Sequence, residues 1–170
     1  MKQKITPFLW FNNNAEEAVN FYVSIFNKNP FGSAQGKSKI KNKAYYGKDG
    51  AKASGMPEGT LMTASFELDG QEFMVINGGP VFKFTEAISF VVNCKTQKEV
   101  DYYWNKLTEG GTEIECAWLK DKYGLFWQIV PEILSKLLSD KDPKKSGRVM
   151  AAMLHMKKID ISKLKEAANS

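Results

Sequence analysis

The sequence is poor in the residues that build metal centres and disulfide frameworks. Its 170 residues include one histidine, His155, and two cysteines, Cys94 and Cys116, which lack CxxC spacing. No apolar run approaches the roughly 20 residues that cross a bilayer. The first segment, MKQKITPFLWF, has neither the apolar region nor the cleavage site of a secretory signal. We therefore expect a cytoplasmic protein with reduced cysteines and no contact with a membrane.

Clustered charge of one sign is also scarce. The formal net charge is +5, with 25% charged and 43% hydrophobic residues, a balance typical of globular domains. Basic residues concentrate between Lys37 and Lys52 and between Lys136 and Lys165, and neither stretch is interleaved with aromatic residues as in a base-stacking platform. These stretches are interpreted as a solvated loop and solvated helix faces, so no nucleic-acid partner is predicted.

What the chain does contain is a strand, a helix and a hairpin in succession. An apolar strand over Ile5–Phe11 precedes NNNAEEAVNFYVSIFN, a helical pattern with an asparagine N-cap. Leu61–Leu68 and Gln71–Asn77 are predicted to pair through an Asp69-Gly70 turn. The polar insert Lys28–Gly59 is expected to hold a short strand near residues 40–46 and then a mobile loop, GKDGAKASGMPEG.

The same order then repeats. A strand over Glu86–Asn93 precedes the helix TQKEVDYYWNKLTEGG, and strands over Thr112–Lys120 and Leu125–Val130 flank a turn at residues 121–124. At one constant shift Phe21 falls on Tyr103 and Tyr22 on Trp104, which favours a duplication, although chance coincidence of helix and strand patterns is an alternative. The prediction is one α+β domain with module one at about residues 3–79, module two at about 84–131 and a helical tail at 132–170.

The tail differs from both copies. PEILSKLLSD, a segment beginning at Asp142-Pro143, and DISKLKEAAN are predicted as short helices, with Asp as cap and Pro at the first helical position of the second. Their narrow apolar stripes, such as Val149, Met150, Met153 and Leu154, must be buried on the duplicated core or on a partner chain.

Several of these stretches together resemble a known family. They are ITPFLWFNNNAEEAVNFYVSIF, CAWLKDKYGLFWQIVP, MLHMKKIDISKL and the segment from FMVINGG to LTEGG. They are similar to the PhnB-type branch of the vicinal oxygen chelate superfamily (glyoxalase, bleomycin-resistance protein, dioxygenase), often labelled 3-demethylubiquinone-9 3-methyltransferase-like. The resemblance implies paired βαβββ modules whose curved sheets form a cleft, and a homodimer.

In metalloenzymes of that superfamily, the first and last strands of each module carry the metal ligands. The matching positions here are Pro7 and Met74 in module one and Ser89 and Gln128 in module two. The position of Gln128 is typically a glutamate in those enzymes. Proline offers no donor, methionine a soft thioether, and serine and glutamine neutral oxygens, whereas divalent cations prefer carboxylate or imidazole. No metal and no other cofactor is therefore predicted.

The predicted site is a ligand-binding cleft, and no catalytic residue is assigned. Its residues are Gln128, Ser89, Met74, Phe126 and Leu9. Gln128 is interpreted either as a polar handle that binds a ligand or a backbone group, or as a satisfied core amide. The aromatic set Trp10, Trp118, Phe126 and Trp127 is read as core or as a stacking wall.

Charged residues near these strands are expected to be solvated. Glu67 and Glu72 lie in the first hairpin, and Asp121 and Lys122 lie in the second turn. The two cysteines are expected to be inert, because no histidine lies close to either in sequence to favour the thiolate.

The function predicted from the sequence is metal-free binding of a small apolar or aromatic molecule by a homodimer. The alternative is an enzyme of the same superfamily, either a metal-dependent lyase, isomerase or dioxygenase or a metal-free catalyst in which Gln128 and Ser89 polarise a carbonyl. The methyltransferase label has no support in the sequence, because there is no Gly-rich turn that follows a strand and opens a helix. The sequence does not name the ligand.

Overall fold

A computed structural model describes residues 3–31 and 37–170 and divides the chain into two compact units, Met1–Phe84 and Thr85–Ser170. The first unit contains β1 (Phe8–Phe11), α1 (Ala15–Lys28), β2 (Lys39–Tyr45), α2 (Lys48–Ser54), β3 (Leu61–Leu68) and β4 (Gln71–Asn77). The second contains β5 (Phe90–Cys94), α3 (Gln97–Leu107), β6 (Thr112–Glu113), β7 (Trp118–Lys120), β8 (Phe126–Pro131), α4 (Glu132–Leu138), α5 (Pro143–Leu154) and α6 (Ile161–Asn169). The predicted α+β class, with its helical tail, is confirmed.

The first unit is a four-stranded sheet with α1 on one face. The strand order is β1-β4-β3-β2, with β1 parallel to β4 and the other pairs antiparallel. Side chains alternate along the strands, so Phe66 and Val75 are fully buried on the α1 side together with Tyr22 of the helix. Each such side chain contributes about 1.5–3 kcal/mol through burial. The other helix of this unit, α2, has no buried residue.

The start of α1 is fixed by a strand rather than by its own cap. Asn14 is the N-cap residue, as predicted, but its side chain makes no cap hydrogen bond. Instead, the Ala15 N–H donates to Oδ1 of Asn77 at 2.9 Å, and Nδ2 of Asn77 donates to the Leu61 carbonyl at 3.0 Å. The end of β4 therefore ties the helix to the sheet.

The insert differs in part from its prediction. The strand expected near residues 40–46 is β2, but the stretch predicted as a mobile loop contains α2. Ala51, Lys52 and Ala53 favour a helix, and Gly55 ends it in the left-handed region at φ 75°. Residues 32–36 of the predicted insert lie outside the described residues.

The second unit repeats the arrangement. Its sheet order is β5-β8-β7-β6, again with the first pair parallel and the others antiparallel. α3 begins with a capping box in which Thr96 and Glu99 bond each other's backbone N–H groups. The strand predicted over Thr112–Lys120 is interrupted, since Cys116 and Ala117 form a turn between β6 and β7. The strand predicted from Glu86 begins only at Phe90.

The tail forms three helices that pack on the second unit. Val149, Ile159 and Leu164 are fully buried in a cluster that also includes Ala117 of the turn before β7. Asp142 caps α5 by accepting from the Lys144 N–H at 2.9 Å, with Pro143 at the first helical position as predicted. Within the described part of the chain, no helix is long and apolar enough to cross a membrane.

Candidate functional site

The second sheet has one face turned away from α3, and the candidate site lies there. Trp127 and Ile129 of β8 are buried on the α3 side, so Phe126 and Gln128 lie on the opposite side. Directly paired residues share a face, which places Val91 of β5 and Trp118 of β7 on either side of Gln128. We call the residues Ser89, Val91, Trp118, Phe126 and Gln128 the open face of the second sheet.

The amide of Gln128 is tied to the residue that precedes β5. Its Nε2 donates to Oγ of Ser89 at 2.9 Å, and both residues are half-buried. Three predicted site residues, Ser89, Phe126 and Gln128, thus lie on one face. The partner of Gln128 is a side-chain hydroxyl rather than the backbone group or ligand expected from the sequence. The bond leaves the amide carbonyl and the second amide hydrogen of Gln128 for a further partner.

Around this polar pair the open face carries apolar side chains, and the exposed Lys120, which pairs with Phe126, lies on the same side of the sheet. Val91 is 49% exposed and Trp118 is half-buried, whereas Phe126 is 8% exposed. An apolar surface with a few oriented polar groups is the usual chemistry of a small-molecule site. Trp118 was absent from the predicted site because it entered only as a member of a mixed aromatic set. Counting back from a four-residue turn at 121–124 would have paired Lys120 with Leu125. The observed pairing of Lys120 with Phe126 is shifted by one residue and sets Trp118 opposite Gln128.

Asp121 corrects one prediction from the sequence. It was expected to be a solvated turn charge, but it is 2% exposed. Its Oδ1 accepts from the N–H groups of Tyr123 and Leu125 at 2.8 and 3.0 Å, and its Oδ2 accepts from Nε1 of Trp127 at 2.8 Å. Three donors compensate the burial of the carboxylate. Asp121 therefore fixes the turn and the indole that lies between Phe126 and Gln128 in sequence.

In the first unit the structure separates two predicted site residues. Met74 is half-buried on the face opposite α1 and pairs with Phe8, which is 51% exposed. Leu9 pairs with Val75 on the α1 side and is buried, so its assignment to the same face as Met74 is wrong. The strand alternation makes the two faces exclusive, because neighbouring residues point to opposite sides.

An aromatic pair lies on the same face as Met74. The indole of Trp10 packs edge-on against Phe82 with ring centroids 4.9 Å apart, and its Nε1 donates to the Gly79 carbonyl at 2.9 Å. A Cβ on Gly78 would lie 2.1 Å from the Trp10 ring, so only glycine fits beneath this indole.

The acids of the first hairpin are paired rather than free to bind a cation. Nζ of Lys41 lies 3.0 Å from Oε1 of Glu67 and 3.4 Å from Oε2 of Glu72. The hydrogen bond to Glu67 is the main cause that raises the pKa of Lys41. These carboxylates are partly shielded, with 22% and 27% of their side chains exposed, in contrast to the solvated acids expected.

The donor set at the superfamily's metal positions does not fit a divalent cation. Pro7 contributes its carbonyl to the sheet by accepting from the Met74 N–H at 2.9 Å, and Ser89 and Gln128 bond each other. Within residues 3–31 and 37–170 no group of three or more His, Cys, Asp or Glu side chains could hold a metal ion. Burial raises the pKa of the Cys94 thiol to about 12, which removes it as a thiolate ligand at neutral pH.

Comparison with known proteins places these features in a family. The profile of a family described as 3-demethylubiquinone-9 3-methyltransferase matches residues 3–130. A Bacillus cereus protein described in the same words, and as a PhnB protein, is 38% identical, with a TM-score of 0.63 over 76% of this chain and 99% of that chain. A search of curated proteins found no match.

Two more distant structures share the fold alone. Protein PA1353 from Pseudomonas aeruginosa is 20% identical, with a TM-score of 0.58 over 77% of this chain and 98% of that chain. The fosfomycin resistance protein FosX from Listeria monocytogenes, complexed with Mn(II) and sulfate, is 11% identical, with a TM-score of 0.51 over 81% of this chain and 96% of that chain. These likenesses agree with the paired βαβββ modules expected from the sequence.

Proposed function

We propose that this chain, which belongs to the 3-demethylubiquinone-9 3-methyltransferase family, binds a small aromatic or apolar molecule without a metal. The observation that carries the proposal is the Gln128–Ser89 pair on the open face of the second sheet, between Val91 and Trp118. Apolar neighbours supply the contact area and the spare amide atoms of Gln128 orient a polar group of the ligand. Met74, on the open side of the first sheet, is proposed separately as a ligand contact of that sheet.

The direct test of this function is to identify what the protein carries. Native mass spectrometry of protein purified without denaturation should reveal a bound small molecule. Ser89→Ala and Gln128→Leu should each reduce its occupancy, whereas Ser135→Ala, at an exposed serine on α4, should not. A molecule that is retained equally in all three variants would contradict binding at this face.

The metal-free character follows from the donor chemistry at the four superfamily positions. Titration of Zn(II), Ni(II), Mn(II) and Fe(II) by calorimetry should show no stoichiometric site tighter than about 10 μM, a generous limit beside structural zinc sites. A metal site tighter than this limit would refute the metal-free part of the proposal. It would not decide whether the protein binds an organic ligand.

A second candidate is an enzyme of the same superfamily, a metal-dependent lyase, isomerase or dioxygenase. The observation that favours it is the FosX structure, a protein of this fold complexed with Mn(II). Elemental analysis of protein purified without chelator separates the two candidates. A divalent metal present at one equivalent per chain would favour the enzyme, and its absence would favour the binding protein.

We attach no methyl-transfer chemistry to the family description. Common S-adenosylmethionine sites use a Gly-rich turn that follows a strand and opens a helix. Here the strand β4 is followed by Gly78 and Gly79, but the next helix is α3, which begins at Gln97 after a further strand. Calorimetry with S-adenosylmethionine should therefore show no binding, and a measurable affinity would overturn this view.

We further propose a cytoplasmic homodimer. Large apolar side chains remain exposed in both units, among them Phe8 at 51%, Phe82 at 62% and Ile88 at 70%, and exposed apolar surface is typical of an interface where it is contiguous. The two cysteines are free thiols, as a reducing compartment would keep them. Light scattering at micromolar concentration should give about twice the chain mass of 19.2 kDa, and a species at the chain mass would count against the dimer.

A further inference from the structure

The two residues before Trp118 hold a backbone conformation that side chains rarely adopt. Cys116 and Ala117 have φ angles of 59° and 73°, in the left-handed region where glycine is usual. A turn of this kind persists when its surroundings hold it in place. It also sets where β7 begins, and so which β7 residue stands opposite Gln128.

The C-terminal tail supplies the contacts that hold this turn. The N–H groups of Cys116 and Ala117 donate to the carbonyls of Met156 and Lys157 at 2.8 and 2.9 Å. On the other side, the Ala117 carbonyl accepts from the Ile129 N–H at 2.9 Å. Ala117 is 1% exposed and packs in the same buried cluster as the tail helices. The turn is thus bonded to the tail on one side and to β8 on the other.

The tail segment that bonds the turn is itself fastened to α3. Nε2 of Gln97 donates to the Ile159 carbonyl at 3.0 Å, and Oε1 of Gln97 accepts from the Ile161 N–H at 2.9 Å. Nζ of Lys158 lies 2.7 Å from Oδ1 of Asp101, one turn further along the same helix. These contacts fix the segment in place directly after the two carbonyls that the turn uses.

From these contacts we infer that the tail is a positioning element for the binding face, and that Trp118 is a ligand-contacting residue whose place depends on it. The inference rests on the proposed function. By holding the Cys116–Ala117 turn, the tail keeps the half-buried indole of Trp118 beside the Gln128 amide, where an aromatic ligand would stack on it.

Binding of the fluorescent aromatic probe 8-anilinonaphthalene-1-sulfonate to the full-length chain tests the role of Trp118. Trp118→Ala should raise the dissociation constant about fivefold or more, whereas Trp118→Phe, which keeps an aromatic ring, should stay within about twofold. Urea melts identify any variant that has lost its fold. Gln128→Leu is measured in parallel, because it reports on the open face independently of Trp118.

The role of the tail is tested with Gln97→Ala, which removes the two bonds to the tail without touching the binding face. Gln71→Ala is the matched control, since the exposed Gln71 amide donates to the neighbouring Glu72 carbonyl in the other unit. Gln97→Ala should speed amide hydrogen exchange at Cys116 and Ala117 about tenfold and weaken probe binding, and Gln71→Ala should do neither. A change in overall stability alone would accelerate exchange in α3 and β8 equally, so exchange confined to the turn is the informative result.

The outcomes separate the inference from the function on which it rests. If Gln128→Leu weakens probe binding and Trp118→Ala does not, the binding face stands and the role of Trp118 is refuted. If neither variant affects the probe, or wild type does not bind it, the proposed function fails and the ligand role of Trp118 with it. Unchanged exchange at the turn in Gln97→Ala would refute the positioning role of the tail in every case.

Discussion

Replacing Gln128 with leucine should remove one side-chain hydrogen bond and leave the strand ladder intact. The bond joins Nε2 of Gln128 to Oγ of Ser89 at 2.9 Å, and both residues are half-buried. A side-chain hydrogen bond contributes about 0.5–1.5 kcal/mol net. Because the Ser89 hydroxyl is accessible to water, it can bond a water molecule instead, so we expect Gln128→Leu to lower the free energy of unfolding by about 0.5–1 kcal/mol.

The neighbouring Asp121→Asn substitution provides the contrast, because Asp121 is buried. Its two carboxylate oxygens serve three donors, from Tyr123, Leu125 and Trp127. Asparagine keeps one of the two oxygens. Its NH₂ group replaces the other oxygen and cannot accept, so at least one of the three donors is left without an acceptor. A buried donor without an acceptor costs about 1–3 kcal/mol, and the lost charge-assisted bond adds to this, so the variant should lose about 2–4 kcal/mol.

Urea melts of wild type and both variants, followed by circular dichroism, measure these changes under identical conditions. The slopes of the transitions must agree for the comparison to hold. A double-mutant cycle with Ser89→Ala should give a coupling energy of about 0.5–1 kcal/mol between Ser89 and Gln128. A loss above about 1.5 kcal/mol in Gln128→Leu would falsify the accessible-face argument, since it would show that the amide satisfies a buried partner.

Three further predictions concern single residues. Gly78→Ala should cost about 1–3 kcal/mol in urea melts, because its Cβ would displace the Trp10 ring; stability within about 0.5 kcal/mol of wild type would contradict this. Asp101→Asn should lose less than about 1 kcal/mol of unfolding free energy at pH 7, since the Asp101–Lys158 pair is 42% and 37% exposed. If the variant differed from wild type by the same amount at pH 2, the ion pair would not be the source of the difference. Native protein treated with iodoacetamide at pH 8 should leave Cys94 unlabelled, because burial raises its pKa to about 12; labelling before unfolding would contradict it.

The pH dependence of the Asp101 contribution has a definite sign. Burial works to raise the pKa of Asp101, but the hydrogen bonds from Lys158 and Gln97 outweigh it, and the pKa lies below its ordinary value of 3.8. A carboxyl whose folded pKa is lowered stabilises the fold above its unfolded pKa and loses that contribution as the pH falls through the folded value. The difference between wild type and Asp101→Asn should therefore be constant near neutral pH and shrink below about pH 4.

Sequence periodicity predicted the repeated sheet well because the information is local. Alternating apolar residues specify which strand face is buried, and the Asp69-Gly70 turn, with φ angles of 47° and 84°, fixes the register of the first hairpin. Ser89 and Gln128, both carried over from the superfamily's ligand positions, bond each other in the structure. The same local reasoning misplaced Leu9, because the predicted set mixed residues whose strand positions differ by one.

Other features depend on contacts between distant segments, which one sequence does not reveal. Asp121 was expected to be solvated because turn residues usually are. Instead, the indole N–H of Trp127 donates a third hydrogen bond to its buried carboxylate. The turn that separates β6 from β7 contains no glycine, so nothing in the sequence indicated positive φ angles there. Cys116 and Ala117 adopt positive φ angles, and tail carbonyls forty residues further along the chain accept their N–H groups.

The site residue Gln128 was predicted from the sequence, whereas Trp118, which lies opposite it, was not. Gln128 was found from the superfamily's metal-ligand position, which is located by counting from the turn glycine that precedes its own strand. The residue opposite Gln128 depends on the register of β7, and that register depends on a turn whose conformation the tail stabilises. Relatives that lack an equivalent tail are therefore expected to hold a different side chain, or the same one in a different place, beside the residue that corresponds to Gln128.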